Sequence, residues 1–187
     1  MPLTSRYLES AELAELGLSV GKNVLIDERA VIVRPGDCHI GSNVRIDSGV
    51  IVTPGPLVIG DYVHIGANAH LNCSAGIKIG DGCNFGQGSK IYSSSDNYVS
   101  GEIGGPWFPC DYDSSTFGAL EIMGLNIVGA NAIVGPGVVM SSGSCVGANS
   151  FLKESTGGWE VWAGNPARRV GLRFNRGNDY YLQRLSS

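Results

Sequence analysis

The chain has 187 residues, a net charge of −4 from 17 acidic against 13 basic side chains, and 28 glycines, about double the usual share. That length suits one substantial domain rather than two, and without a basic run or stripe nucleic acid is excluded as an expected partner. No apolar stretch reaches membrane-spanning length and the N-terminus lacks the apolar core of a signal peptide, so no membrane insertion and a cytoplasmic setting are expected.

Thr4 to Leu16 (TSRYLESAELAEL) is rich in helix formers and stops at Gly17, so a short helix is expected over 4–17. From residue 21 a six-residue beat takes over, faint at Ile26 and Ile32. It then becomes regular in groups of three: Ile40, Ile46, Val52; Ile59, Ile65, Leu71; Ile79, Phe85, Ile91. The residue after an anchor is usually small or acidic (Gly41, Asp47, Gly60, Gly80), and the residue four on is usually small or β-branched (Val44, Val63, Ala69, Ser89). Neither a helical period nor simple alternation gives a step of six. A short strand followed by a sharp corner does. Three such sides close a triangular coil, with each anchor pointing inward and stacked on the anchor of the coil below. The position four on also points inward where space is scarce, and the glycine after the anchor is expected to accommodate the tight corner.

Residues 92–120 lose the beat and carry Tyr92, Tyr98, Trp107, Phe108, Tyr112 and Phe117, which marks a functional loop rather than a linker. The beat returns over 121–157 with Ile122, Val128, Val134, Met140, Val146 and Leu152. A tail over 158–187 follows, whose last fifteen residues, with Tyr180, Tyr181, Leu182 and Leu185, suggest a short helix closing the open coil end. The expected fold is therefore all-β: one domain over 1–187, a parallel β-helix with a short helix at each end and a long inserted loop. Periodicity leaves the hand of the coil open.

Two segments carry a more specific resemblance. Val146–Arg169 (VGANSFLKESTGGWEVWAGNPARR) resembles the end of hexapeptide-repeat sugar acetyltransferases related to the maltose and galactoside O-acetyltransferases, which close on G-N-P-A. Ile91–Gly101 (IYSSSDNYVSG) resembles a serine-rich segment of a polysaccharide-associated subgroup. The resemblance covers most of the chain and implies a left-handed coil, a homotrimer with sites at subunit interfaces, acetyl-CoA as acyl donor and a saccharide acceptor. It places coenzyme A contacts at Ala130, Ala148, Lys153, Asn165, Pro166 and Arg168. Small residues suit a pantetheine arm lying flat, and the two cations suit phosphates. Gly164–Pro166 could equally be the turn that takes the chain out of the last coil.

Acetyl transfer to a sugar hydroxyl requires a base, because the hydroxyl keeps its proton at neutral pH, and a backbone N–H to hold the oxyanion. The resembling enzymes usually place a histidine on the long loop, but here no histidine follows His70. The matching positions are Asp96, Asn97 and Tyr98. All three histidines stand immediately before an anchor, hence outward, and on different sides of the coil. His64, in G-D-Y-V-H-I, resembles a recurring segment of the subgroup and is the first candidate base. His70 is the second, and His39 reads as a surface residue. Asp96 could orient a neighbouring chain's histidine, act as base, or serve as an ordinary turn residue. Asn97, Tyr98 and Trp107 suit contact with the acceptor, the aromatics by stacking on a sugar face or by packing the loop.

The resemblance implies an acetyl-CoA-dependent O-acetyltransferase of surface polysaccharide synthesis. An amine can lose its proton after attack and demands less of a base, so N-acetylation of an amino sugar or a nucleotide-linked amino sugar stays open. A γ-class carbonic anhydrase-like zinc site is disfavoured, because His64 and His70 are six apart and no third histidine lies near them. The five scattered cysteines have no C-x-x-C spacing, so neither a disulfide framework nor a metal is expected. A non-catalytic scaffold remains the other class.

Overall fold

A computed structural model describes residues 6–101 and 115–174. Three parallel sheets form the sides of a left-handed β-helix, and the chain visits them in rotation. One coil shows the pattern: Leu57–Ile59 lies in the first sheet, His64–Ile65 in the second and His70–Asn72 in the third. Each strand bonds to its counterpart one coil on, as in Arg45 N–H to Val63 O at 2.9 Å and His64 N–H to Cys83 O at 3.0 Å.

Every anchor from Ile40 to Leu152 is at most 4 % exposed, so the six-residue beat is the core. The small positions four residues on are buried as well. Ser89 is one of these, stacked between Ala69 and Ala132, and its hydroxyl has no hydrogen-bond partner among the described residues. A buried hydroxyl without a partner costs free energy, so Ser89→Ala is expected to leave stability unchanged or raise it by about 1 kcal/mol. Urea denaturation checks this, and a loss of about 1 kcal/mol or more would contradict it.

The corners correct one expectation. The glycine directly after an anchor does not supply the unusual backbone angle. Residues three after the anchors do so, including Asn43, Tyr62, Asn68, Gly88, Leu125 and Asn131, with φ of 55° to 68°. The glycine after the anchor instead lets neighbouring coils touch: a Cβ on Gly86 would lie 2.5 Å from Ala130 N.

The N-terminal helix is shorter than the expected 4–17. It spans Ser10–Glu15, opening with Glu9 N–H on Glu12 Oε2 at 2.7 Å. Arg6 to Glu9 are extended, because the edge of the first coil offers backbone partners: Leu8 N–H donates to Ile26 O at 2.8 Å, and Tyr7 bridges Asp27. Leu13, 2 % exposed, closes that end of the core.

The segment expected as a loop over 92–120 is partly an arm. Ser94–Asp96 pairs antiparallel with Ser115–Phe117, and the coil resumes at Leu120–Ile122. At the far end the second sheet is closed by a hairpin, Glu160–Gly164 with Ala167–Leu172. Trp162 and Ala167 bury its inner side. The expected closing helix falls mainly on 175–187, which lie outside the described residues, as does Trp107.

Candidate active site

The three histidines stand on three different sheets: His39 on the first, His64 on the second and His70 on the third. The arm leaves the corner between the third and first sheets. A single chain therefore does not gather its candidate bases.

His64 is engaged at both ring nitrogens, with Nε2 2.9 Å from Asp47 Oδ2 and Nδ1 2.9 Å from Asn84 Oδ1. Arg45 Nε donates to the other Asp47 oxygen at 2.6 Å, and the Arg45 guanidinium lies 5.8 Å from the Tyr7 ring centre. Burial pushes the Asp47 carboxyl up, but hydrogen bonds from His64 and Arg45 outweigh it and hold the pKa below its ordinary value. Asp47 therefore stays ionised at neutral pH and anchors the imidazole by accepting from Nε2–H. Asp47 and Asn84 were not among the expected site residues. Coil length was the signal that finds Asn84, since it follows His64 by twenty residues.

His70 is neutral by environment, its pKa lowered by burial and by Lys90. Its Nδ1 meets the Tyr92 hydroxyl at 3.1 Å with the rings edge to face, while Nε2 is buried without a partner among the described residues. Asp96 ends the first strand of the arm. Asn97 Oδ1 accepts from Val99 N–H at 3.1 Å, and Tyr98 beside it is 87 % exposed. Tyr98 therefore does not pack against the described part of the arm.

The residues read as coenzyme A contacts fall into two groups. Ala130 and Ala148 lie exposed at one corner in successive coils, and the hairpin tip bearing Asn165 and Pro166 reaches the same corner through Gly164 N–H on Ser150 Oγ at 2.9 Å. Gly129 and Gly147 leave no side chain standing between these coils, so the surface is flat enough for an extended thin ligand. Gly164–Pro166 form the tip of the hairpin between Glu160–Gly164 and Ala167–Leu172, so the turn reading of that segment holds. Arg168, on the return strand, pairs with Glu154 at 2.9 Å, next to the exposed Lys153.

Comparison with known proteins supplies what the geometry of one chain leaves open. Residues 17–54 and 56–92 match the hexapeptide repeat of succinyl-transferase. The dTDP-4-amino-4,6-dideoxy-D-glucose acyltransferase of Escherichia coli is 32% identical over 170 residues, covering 89% of this chain and 88% of that protein. The chain belongs to the hexapeptide-repeat acyltransferases. Within this family, AntD, an N-acyltransferase from Bacillus cereus solved with dTDP and 3-hydroxybutyryl-CoA, superimposes with a TM-score of 0.91 at 34% identity. The match covers 98% of this chain and 100% of AntD. A variant of AntD has also been solved with dTDP-4-amino-4,6-dideoxyglucose and coenzyme A, at TM-score 0.92 and 35% identity, covering 96% of this chain and 97% of that one. A maltose O-acetyltransferase from Clostridium difficile 630 shares the fold alone, at 17% identity and TM-score 0.59 over 88% of this chain and 74% of that one. These relatives above 30% identity are named with dTDP or a dTDP-amino sugar, which backs the N-acyl alternative better than the O-acetyl expectation.

Proposed function

We propose that this protein transfers an acyl group from a coenzyme A thioester to the amino group of a nucleotide-linked amino sugar. It does so in the cytoplasm as a homotrimer with sites at subunit interfaces, its product feeding surface polysaccharide synthesis. The observation that carries the reading is end-to-end similarity, above 30% identity, to two acyltransferases named with a dTDP-amino sugar. The chemistry agrees. An unprotonated amine attacks the thioester carbonyl, the C–N bond forms, the C–S bond breaks, and the amine proton leaves after attack. No base as strong as alkoxide formation requires is then needed.

The flat corner at Ala130 and Ala148, with Asn165 and Pro166, would receive the pantetheine arm, and Lys153 and Arg168 the phosphates. The arm would bring Asp96, Asn97 and Tyr98 to the acceptor, and Trp107 is proposed as a further acceptor contact. Asp96, on the arm itself, would take the proton that departs after attack, while His64, held by Asp47 and Asn84, and His70, with Nε2 buried, are committed elsewhere. Thiol release from acetyl-CoA, followed colorimetrically with dTDP-4-amino-4,6-dideoxyglucose as acceptor, tests the reading. Release that requires the amino sugar is expected. Release at the same rate without it, or none with either acetyl-CoA or 3-hydroxybutyryl-CoA, would overturn it.

A further inference from the structure

The root of the arm is held by one side chain to which nothing above gives a task. Asn72 Oδ1 accepts from Ser74 N–H at 3.1 Å, from the Ser74 hydroxyl at 2.7 Å and from the Ser94 hydroxyl at 3.2 Å. The main-chain carbonyl of Asn72 accepts from Ser93 N–H at 3.0 Å and from the Ser93 hydroxyl at 2.7 Å. Ser93 Oγ in turn accepts from Ala75 N–H at 2.8 Å, and the Ser93 side chain is fully buried.

The returning strand is fixed at the same point. Gly118 N–H donates to Ser93 O at 2.9 Å, and a Cβ on Gly118 would lie 2.5 Å from Gly137 N, so the arm is pressed against the next coil. The tip is different: Tyr98 and Val99 are 87 % and 93 % exposed. A two-stranded ribbon has little stability of its own, so its direction is set where it is bolted down.

We propose that Asn72 is a positioning residue, fixing the direction in which the arm presents Asp96, Asn97 and Tyr98 and thereby the affinity for the acceptor. The proposal rests on the reading that the arm meets the acceptor. Each donor that reaches the Asn72 side chain ends on Oδ1, so the chemistry required there is an acceptor oxygen. A carboxylate supplies that oxygen and a methyl group does not.

Steady-state kinetics of the intact protein decide the matter. Asn72→Ala is expected to raise KM for the amino-sugar nucleotide about tenfold, since a small misplacement far from the chemistry is costly. KM for acyl-CoA should stay within about twofold, and Asn72→Asp should bring the acceptor KM back to within about twofold of the parent. A purely structural role would lower the melting temperature and move both KM values together. An unchanged acceptor KM in Asn72→Ala, or an equal rise in both, overturns the proposal. Should Asn72→Ala not fold, Ser94→Ala takes its place and must raise the acceptor KM alone. Tyr98→Ala separates the two levels. If it leaves the acceptor KM unmoved, the arm does not meet the acceptor; if it raises that KM while Asn72→Ala does not, only the positioning role is lost.

Discussion

Phe85→Ala is expected to cost about 3–5 kcal/mol of unfolding free energy. Phe85 is among the largest fully buried side chains and sits mid-stack, in register with Ile65 one coil before and Val128 one coil after. In a β-helix each coil buries its apolar side only against its neighbours, so the loss at this level is felt by both halves of the stack. The adjoining coils are held apart by backbone ladders and cannot collapse far into the space left. Phe85→Leu keeps most of the volume and should cost about 1–1.5 kcal/mol. Urea denaturation of both variants checks the pair of values. A loss under about 1 kcal/mol for Phe85→Ala would mean that the coil interior relaxes far more easily than close packing allows.

Exchanging the acceptor amine for a hydroxyl is expected to slow acyl transfer by about a thousandfold, the worth of a well-placed general base. A hydroxyl must be relieved of its proton as it attacks, and no free histidine nitrogen stands at the described part of the arm. Both ring nitrogens of His64 are engaged, by Asp47 and Asn84. Nε2 of His70 is buried, and His39 stands on the first sheet three strands away from Leu120–Ile122, where the arm rejoins the coil. Parallel kinetics on dTDP-4-amino-4,6-dideoxyglucose and its 4-hydroxyl counterpart measure the ratio. Similar turnover of the two would show that a competent base is assembled, from a neighbouring chain or elsewhere.

The coil was legible because its signal is local and repeated: Ile122, Val128, Val134, Met140, Val146 and Leu152 each point inward for the same reason. The role of the corner glycines was not, because periodicity shows where small residues recur and not whether they serve a backbone angle, as Gly88 does, or close approach, as Gly86 does. Arg6 to Glu9 look helical by propensity, yet an unpaired strand edge at Ile26 draws them into extended backbone. The closing turn at Gly164–Pro166 was readable from the Gly-Asn-Pro-Ala resemblance. The Asp47–His64–Asn84 chain and the Asn72 root were not, because these contacts cross between coils and depend on how many extra residues each coil carries. The choice between amine and hydroxyl depends on the acceptor, which no residue pattern in this chain spells out.

The kind of bond the enzyme makes separates amine from hydroxyl most directly. Its product from acetyl-CoA and the amino-sugar nucleotide, isolated and treated with hydroxylamine at mildly alkaline pH, reports that bond by mass spectrometry. An amide keeps its acetyl group through this treatment, and the nucleotide sugar should emerge still acetylated. Loss of the acetyl group to hydroxylamine would reveal an ester, place the reaction back on a hydroxyl, and contradict the function proposed for this chain.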